Sequence, residues 1–166
     1  MLEKLKFLID YCWWATQKIL ESLEQLTTEE MEKDLGGSFH SIKETIIHIM
    51  WVELLFTRRW QSIPTEDIKS PFIIDNIATI KSKWLDIQRE RAMFLEELDE
   101  NQLNKQIEYL NTKGQNVKIE LWKTIFQSIN HSTLHRGQII GKIRQIGKIP
   151  PATDFILFCK ESREGG

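Results

Sequence analysis

Residues 41–60, SIKETIIHIMWVELLFTRRW, decide the fold predicted for this chain. Ser41 followed three residues later by Glu44 matches a capping box, in which the serine caps a helix start and the glutamate accepts a hydrogen bond from the serine amide. The apolar residues that follow predict a long helix with a buried face, running from about Ile42 to Trp60. One histidine, His48, lies inside the most apolar part of this helix.

Apolar residues at spacings of three and four predict three further long helices and one short terminal helix. They are expected over residues 2–23, over residues 75–98 with Asp75 as the cap, over residues 120–146, and over residues 154–162. Alternating apolar and polar residues around Asn111–Gly114 predict a small β-hairpin over residues 106–119. The sequence thus predicts an all-α four-helix bundle with a hairpin before the fourth long helix, and residues 1–166 are expected to form one domain.

The charge distribution argues against nucleic acid as a partner. Lysine and arginine total 22 against 24 for aspartate and glutamate, a net charge of −2, so no overall positive field attracts a phosphate backbone. Residues 81–100 also mix both signs of charge, which predicts a solvated outer face on the third long helix.

The cysteines and the apolar stretches predict a soluble cytoplasmic protein with no membrane partner. Cys12 and Cys159 lie near opposite ends of the chain without a CxxC motif, which suits a reducing compartment. The first residues lack the unbroken apolar run and the cleavage site of a signal peptide. The longest uncharged apolar stretch, Thr45 to Val52, is much shorter than the ~20 residues that a membrane span requires.

Two histidines in the predicted fourth long helix, His131 and His135, stand four residues apart. Residues at this spacing share one face of a helix, so both imidazoles can reach one metal ion. His48 can supply a third ligand if its helix faces them across the bundle core. Three histidines with one position left for water or substrate are typical of a catalytic metal site. A metal-bound thiol or water loses its proton near neutral pH, which predicts nucleophilic chemistry at such a site.

The same residues also have structural explanations. His48 stands among isoleucines, where a core imidazole satisfied by one hydrogen bond is common. Glu44 lies one turn before His48 and can either support that imidazole or cap the helix, and capping is its expected role. His40 is expected in a solvated loop. The pair His131 and His135 belongs to a polar stripe that also holds Thr124, Gln127, Ser128, Gln138 and Lys142. Spacing alone leaves both explanations open.

Three segments carry a family resemblance: YCWWATQKIL at residues 11–20, GGSFHSIKETIIHIMWVELLFTRRW at residues 36–60, and NHSTLHRGQIIGKIRQIGKIPPATDFILF at residues 130–158. Together they resemble the DinB/YfiT-like family of bacterial four-helix-bundle proteins. The most specific parts are the histidine in the second long helix and the N-H-x-x-x-H-R-G-Q-I run. The chain departs from the family pattern at Thr16, Gln127 and Leu134, none of which is an expected ligand.

The resemblance implies an up-down-down-up bundle, usually a homodimer, that holds zinc, nickel or another divalent ion through three histidines with water completing the coordination. Carried over by motif, the metal ligands are His48, His131 and His135. Relatives in the wider superfamily are thiol-dependent S-transferases or isomerases that use bacillithiol or mycothiol. The resemblance therefore implies a divalent metal ion as cofactor and a thiol such as bacillithiol as a possible co-substrate.

Two functions of different classes follow as hypotheses. The first is a cytoplasmic, metal-dependent S-transferase whose three-histidine site binds a small thiol as thiolate for transfer to an electrophile. The second is a non-catalytic module that binds a small molecule or serves a stress response, with an incidental or absent metal. A structural dimer with buried histidines is a third explanation. Replacing His131 by alanine abolishes turnover under the first hypothesis and leaves ligand affinity largely intact under the second.

Overall fold

The computed structural model of the chain describes residues 1–65, 68, 76–111 and 113–164. These ranges contain six α-helices, two β-strands and one 3₁₀ helix. The helices are α1 (Leu2–Leu23), α2 (Thr28–Glu32), α3 (Ile42–Trp60), α4 (Ile77–Glu97), α5 (Leu121–Gln145) and α6 (Phe155–Glu164); the strands are β1 (Gln106–Leu110) and β2 (Asn116–Glu120), and the 3₁₀ helix is Glu100–Asn104. No helix within the described ranges is both long enough and apolar enough to cross a bilayer.

The helices α3 and α4 run in the same direction. The indole nitrogen of Trp84 donates a hydrogen bond to Glu53, and further along both helices Arg58 forms an ion pair with Glu90. Because later residues of α3 meet later residues of α4, the two helices are parallel.

The helix α5 runs against α3. His48 contacts His131, whereas the indole nitrogen of Trp60, near the end of α3, donates to the hydroxyl of Thr124, near the start of α5. The first half of α1 packs with the first half of α5, as described below, so these two helices are parallel. The order up, down, down, up confirms the predicted four-helix bundle.

Two apolar clusters fill the bundle, one toward each end. Side chains from the second halves of α1 and α5 pack together in one cluster, and side chains from the first halves of the same two helices pack together in the other. The first cluster includes Ile19, Ile46, Trp84, Ile139 and Ile143, and the second includes Ile9, Phe56, Leu95, Leu121 and Ile125. Burial of these side chains is the main favourable contribution to the stability of the bundle.

A polar layer separates the two apolar clusters. Each long helix contributes to this layer at least one side chain that is at most 3% exposed, namely Thr16 from α1, Glu53 from α3, Arg91 from α4 and Ser132 from α5. The burial of Arg91 corrects the prediction that the charged residues of 81–100 all lie on a solvated face. Buried polar side chains are rarely tolerated without partners, and Glu53, Arg91 and Ser132 are hydrogen-bonded to one another or to neighbouring helices. The hydroxyl of Thr16 is the exception, because it has no hydrogen-bond partner among the described residues.

The helix caps in the structure agree only in part with the caps predicted from the sequence. The hydroxyl of Ser41 accepts a hydrogen bond from the Glu44 amide at 3.1 Å, as predicted. The carboxylate of Glu44, however, accepts from the amide of His40 at 2.8 Å rather than from that of Ser41, so the predicted capping box is only half present. At the start of α4 the cap is Asn76, whose side-chain oxygen accepts from the amide three residues on, while Asp75 lies outside the described residues.

The predicted hairpin is present. The strands β1 and β2 pair antiparallel, with Gln106 opposite Glu120 and Leu110 opposite Asn116. Gly114 in the connection has a φ of +74°, a conformation that glycine adopts without the steric cost of a Cβ atom. The second strand leads directly into Leu121, the first residue of α5, so the hairpin positions the helix that bears two of the three histidines.

Candidate metal centre

The helices α3 and α5 bring three imidazoles together. His48 comes from α3, and His131 and His135 come from one face of α5. The centroids of the rings are 4.9 Å apart for His48 and His131, 4.7 Å for His48 and His135, and 4.3 Å for His131 and His135. One nitrogen from each ring can be chosen so that all three lie within 4.8 Å of one another. The antiparallel packing of α3 and α5 therefore turns two distant sequence motifs into one cluster.

The arrangement of these nitrogens fits a divalent metal ion. The Nε2 atoms of His48 and His131 lie 3.0 Å apart, a distance at which two lone pairs repel unless a proton or a cation is shared between them. Tetrahedral zinc with Zn–N bonds of about 2.0–2.1 Å holds its ligand nitrogens about 3.3 Å apart, close to the separation of this one pair. Neutral imidazole is moreover a favourable ligand for zinc, nickel, copper and iron.

Burial keeps two of these imidazoles neutral. The pKa of His131 falls from 6.5 to about 3, mainly because burial disfavours the cation and then through the neighbouring His135 and His48. The pKa of His48 falls from 6.5 to about 4, mainly through burial and then through His135. At neutral pH both rings therefore offer a lone pair, and a metal ion does not have to displace a proton from them.

Gln138 orients the third imidazole. The Nδ1 atom of His135 lies 2.8 Å from the side-chain oxygen of Gln138, one turn further along α5. With the proton on Nδ1, the ring donates to this oxygen and leaves Nε2 free to bind a metal ion. The corresponding Nδ1 atom of His131 is buried without a hydrogen-bond partner among the described residues. The sequence placed Gln138 in a polar stripe but gave it no role of its own.

An aromatic side chain packs against the cluster. The ring of Phe39 stacks on that of His48, with centroids 4.2 Å apart and planes 30° apart, and it meets the ring of His135 edge-on at 5.5 Å. His135 is buried, whereas His48 and His131 are only partly buried. Phe39 thus covers part of the cluster, while the rings of His48 and His131 keep part of their surface exposed to solvent.

The loop that carries Phe39 is tied to α5. The buried ammonium group of Lys142 donates to the backbone oxygen of Gly36 at 2.6 Å and to that of His40 at 3.4 Å. Gly36 and Gly37 both have positive φ angles, of +71° and +90°, which let the loop turn sharply here. The position of Phe39 over the imidazoles therefore depends on a contact with the helix that bears two of them.

His40 and Glu44 take no part in the cluster. His40 is exposed, and its Nδ1 atom lies 3.3 Å from the carboxylate of Asp34. Glu44 is also exposed, and its carboxylate serves the start of α3. The exposure of His40 is as predicted. Glu44 serves the helix start as predicted, although its carboxylate accepts from the amide of His40 rather than from that of Ser41.

Comparisons with known proteins identify the family of this chain. Protein DinB of Bacillus subtilis (strain 168) is 25% identical over 158 residues, which cover 91% of this chain and 91% of that protein. The crystal structure of a DinB-like protein from Bacillus cereus ATCC 10987 matches 87% of this chain and 94% of its own, with a TM-score of 0.68 and 17% identity. The crystal structure of a DinB-like protein from Bacillus subtilis matches 89% of this chain and 97% of its own, with a TM-score of 0.66 and 15% identity. The profile of the DinB family matches residues 1–164, and the chain therefore belongs to the DinB family.

Proposed function

We propose that the protein is a cytoplasmic, metal-dependent thiol S-transferase that uses a low-molecular-weight thiol such as bacillithiol. The observation that carries this proposal is the convergence of three imidazoles on one partly open site. Two of these rings, His48 and His131, are held neutral by burial and are therefore ready to bind a cation at physiological pH.

The residues that would hold the metal are His48, His131 and His135. A divalent ion such as zinc or nickel, when bound there, supplies the positive charge that lowers the pKa of a thiol and favours the nucleophilic thiolate. Gln138 fixes the orientation of His135, and Phe39 limits the access of water from one side. Three protein ligands leave room for a thiol beside them, as in catalytic rather than structural sites.

The transfer needs no oxidant or reductant. A bond forms between the thiol sulfur and the electrophilic carbon, while the bond from that carbon to its leaving group breaks. The leaving group departs with the electron pair, and the thiol proton passes to solvent. The partly exposed rings of His48 and His131 mark the edge at which we expect both reactants to enter and the proton to leave.

The test begins with metal content and then measures conjugation. Freshly purified protein is examined by elemental analysis, loaded with zinc or nickel, and assayed for conjugation of bacillithiol or an analogue to a model electrophile. We expect conjugation by the wild type, loss of conjugation in His131→Ala, and retention in His40→Ala, because His40 is exposed and lies outside the cluster. Protein that binds thiol without conjugating it would indicate a non-catalytic binding module. Protein without metal, and without a gain in melting temperature on adding zinc, would indicate purely structural histidines.

The homodimer is a separate proposal that rests on the family resemblance. The three imidazoles come from one chain, so the S-transferase proposal does not require a second copy. Light scattering of the purified protein would test the dimer, and a mass equal to one chain at micromolar concentration would contradict it.

A further inference from the structure

A buried carboxylate joins the two helices that carry the imidazoles. Glu53 in the polar layer is 2% exposed, and one of its oxygens, Oε1, accepts a hydrogen bond from the hydroxyl of Ser132 at 2.8 Å. Ser132 follows His131 directly on α5, and Glu53 lies five residues after His48 on α3. This hydrogen bond therefore spans the interface between α3 and α5 beside the imidazole cluster.

The other carboxylate oxygen of Glu53 is held entirely by α4. Its Oε2 atom accepts hydrogen bonds from the indole of Trp84 at 2.9 Å, from the amide of Gln88 at 3.0 Å and from the guanidinium of Arg91 at 3.2 Å. Arg91 also donates to the backbone oxygen of Glu53 and to the hydroxyl of Thr57. The carboxylate is thus fixed in one orientation, with Oε1 directed at α5.

Stability alone does not explain this network. Taking a carboxylate and a guanidinium out of water costs free energy that their mutual attraction only partly offsets, and apolar residues of similar volume often stabilise a core as well or better. Polar pairs in helix interfaces are best known for fixing the register of one helix against another. In this bundle, that register sets the distance between the ring on α3 and the two rings on α5.

We infer that Glu53 is a positioning residue, which acts through Ser132 to hold His131 and His135 at the distance from His48 that metal binding requires. The buried donors Arg91 and Trp84 fix the carboxylate, and the Ser132 hydroxyl transmits its position to α5. This role rests on the proposed metal site, but it concerns the geometry of the metal-free protein as well.

A matched pair of variants separates positioning from general stability. Ser132→Ala removes one hydrogen bond to the Glu53 carboxylate from α5, and Gln88→Leu removes one hydrogen bond to the same carboxylate from α4. In metal-free protein, nuclear Overhauser cross-peaks between the His48 and His131 ring protons report the spacing of the two imidazoles. We expect Ser132→Ala to weaken these cross-peaks and Gln88→Leu to preserve them, although each variant loses one hydrogen bond to the Glu53 carboxylate.

Metal titration is the second measurement. With Co²⁺ as a spectroscopic probe and Zn²⁺ as competitor, we expect Ser132→Ala to reduce metal affinity about tenfold and to alter the Co²⁺ absorption spectrum, as loss of supporting contacts does in other metal sites. Gln88→Leu should retain the wild-type spectrum and affinity. Equal effects of the two variants on cross-peaks and spectrum, or no effect of either, would overturn the positioning role. If no protein form binds metal but the cross-peaks still differ as expected, the proposed function fails while the positioning role stands.

Discussion

Lowering the pH from 7 to 4 in metal-free protein should destabilise the fold through His131. The pKa of this residue is 6.5 in an ordinary environment and about 3 in the folded chain, so the unfolded chain takes up the proton first. Stability conferred by the neutral ring is therefore complete above pH 6.5 and is lost progressively as the pH falls toward 3. The sign follows from the proton uptake, because protons bind the unfolded state more tightly.

The magnitude follows from the shift and the solvent exposure of the ring. Each pKa unit corresponds to about 1.36 kcal/mol, but His131 is only partly buried, and solvent screening reduces the effect. Over the range from pH 7 to pH 4 we expect a loss of about 2 kcal/mol that depends on His131. The variant His131→Gln carries no titrating ring. Between pH 7 and pH 4 its free energy of unfolding should therefore fall by about 2 kcal/mol less than that of the wild type.

Urea denaturation at successive pH values, with a chelator present throughout, measures this difference. The exposed His40 provides the control, since we expect His40→Gln to follow the wild type within about 0.5 kcal/mol at each pH. Carboxylates that titrate in the same range are common to all three proteins and cancel in the comparison. Parallel loss of stability in the wild type and His131→Gln would refute the argument that burial holds this imidazole neutral.

Three further predictions concern the site and the core. Gln138→Leu should lower zinc affinity about tenfold in isothermal titration calorimetry, because His135 loses the acceptor that fixes its tautomer. Phe39→Ala should raise the pKa of His48 toward 6.5 in an NMR titration, because the stacked ring no longer excludes water from the imidazole. Ile139→Ala should reduce the free energy of unfolding by about 2–5 kcal/mol in urea denaturation, since this side chain is fully buried.

Each of these predictions has a control on the same chain. Gln127→Leu alters an exposed glutamine of α5 and should leave zinc affinity unchanged. Ile149→Ala alters a side chain that is 93% exposed, and it should change stability by less than about 0.5 kcal/mol. For Phe39→Ala, the control is Phe126→Ala, which alters a side chain that is 52% exposed and should leave the pKa of His48 at its wild-type value. A zinc affinity, a pKa or a stability that moves equally in variant and control would contradict the corresponding prediction.

The long helices could be predicted from sequence because their determinants are local. Apolar periodicity and the Ser41 cap fix α3 at residues 42–60, as the structure has it. Apolar periodicity does not predict the helix at Thr28–Glu32 or the 3₁₀ helix at Glu100–Asn104, because neither is long enough to show a repeating spacing of apolar residues. Both nevertheless begin with a capping box, formed by Thr27 and by Asp99, and that signal was available in the sequence.

Helical spacing and the family resemblance predict the three histidines of the site, but not the residues that surround them. The pairing of His131 with His135 follows from helical geometry, whereas the approach of His48 depends on tertiary packing. Phe39 could not be predicted to cover the site, because its loop is held by Lys142, more than 100 residues away in the chain. That tertiary contact also sets the path of the loop before α3, and a local motif such as the capping box carries no information about it.

The burial of Arg91 is not predictable from the sequence for a related reason. In the sequence, Arg91 is one of many charged residues in a helix that carries both positive and negative side chains, and no local feature distinguishes it from its solvated neighbours. Its burial follows from the position of Glu53 on another helix, which faces it across the bundle. The supporting network of the site is thus a product of the packing of three helices.

The separation of the core into two apolar clusters has a consequence for protein engineering. The clusters at the two ends contribute most of the apolar burial, and the imidazoles lie beside the layer between them. A designer can therefore exchange one imidazole for a carboxylate, to favour harder cations such as Mn²⁺, without removing side chains from either cluster. Under the proposed function, the bundle is a scaffold in which the preference among cations can be changed without altering the apolar clusters that drive folding.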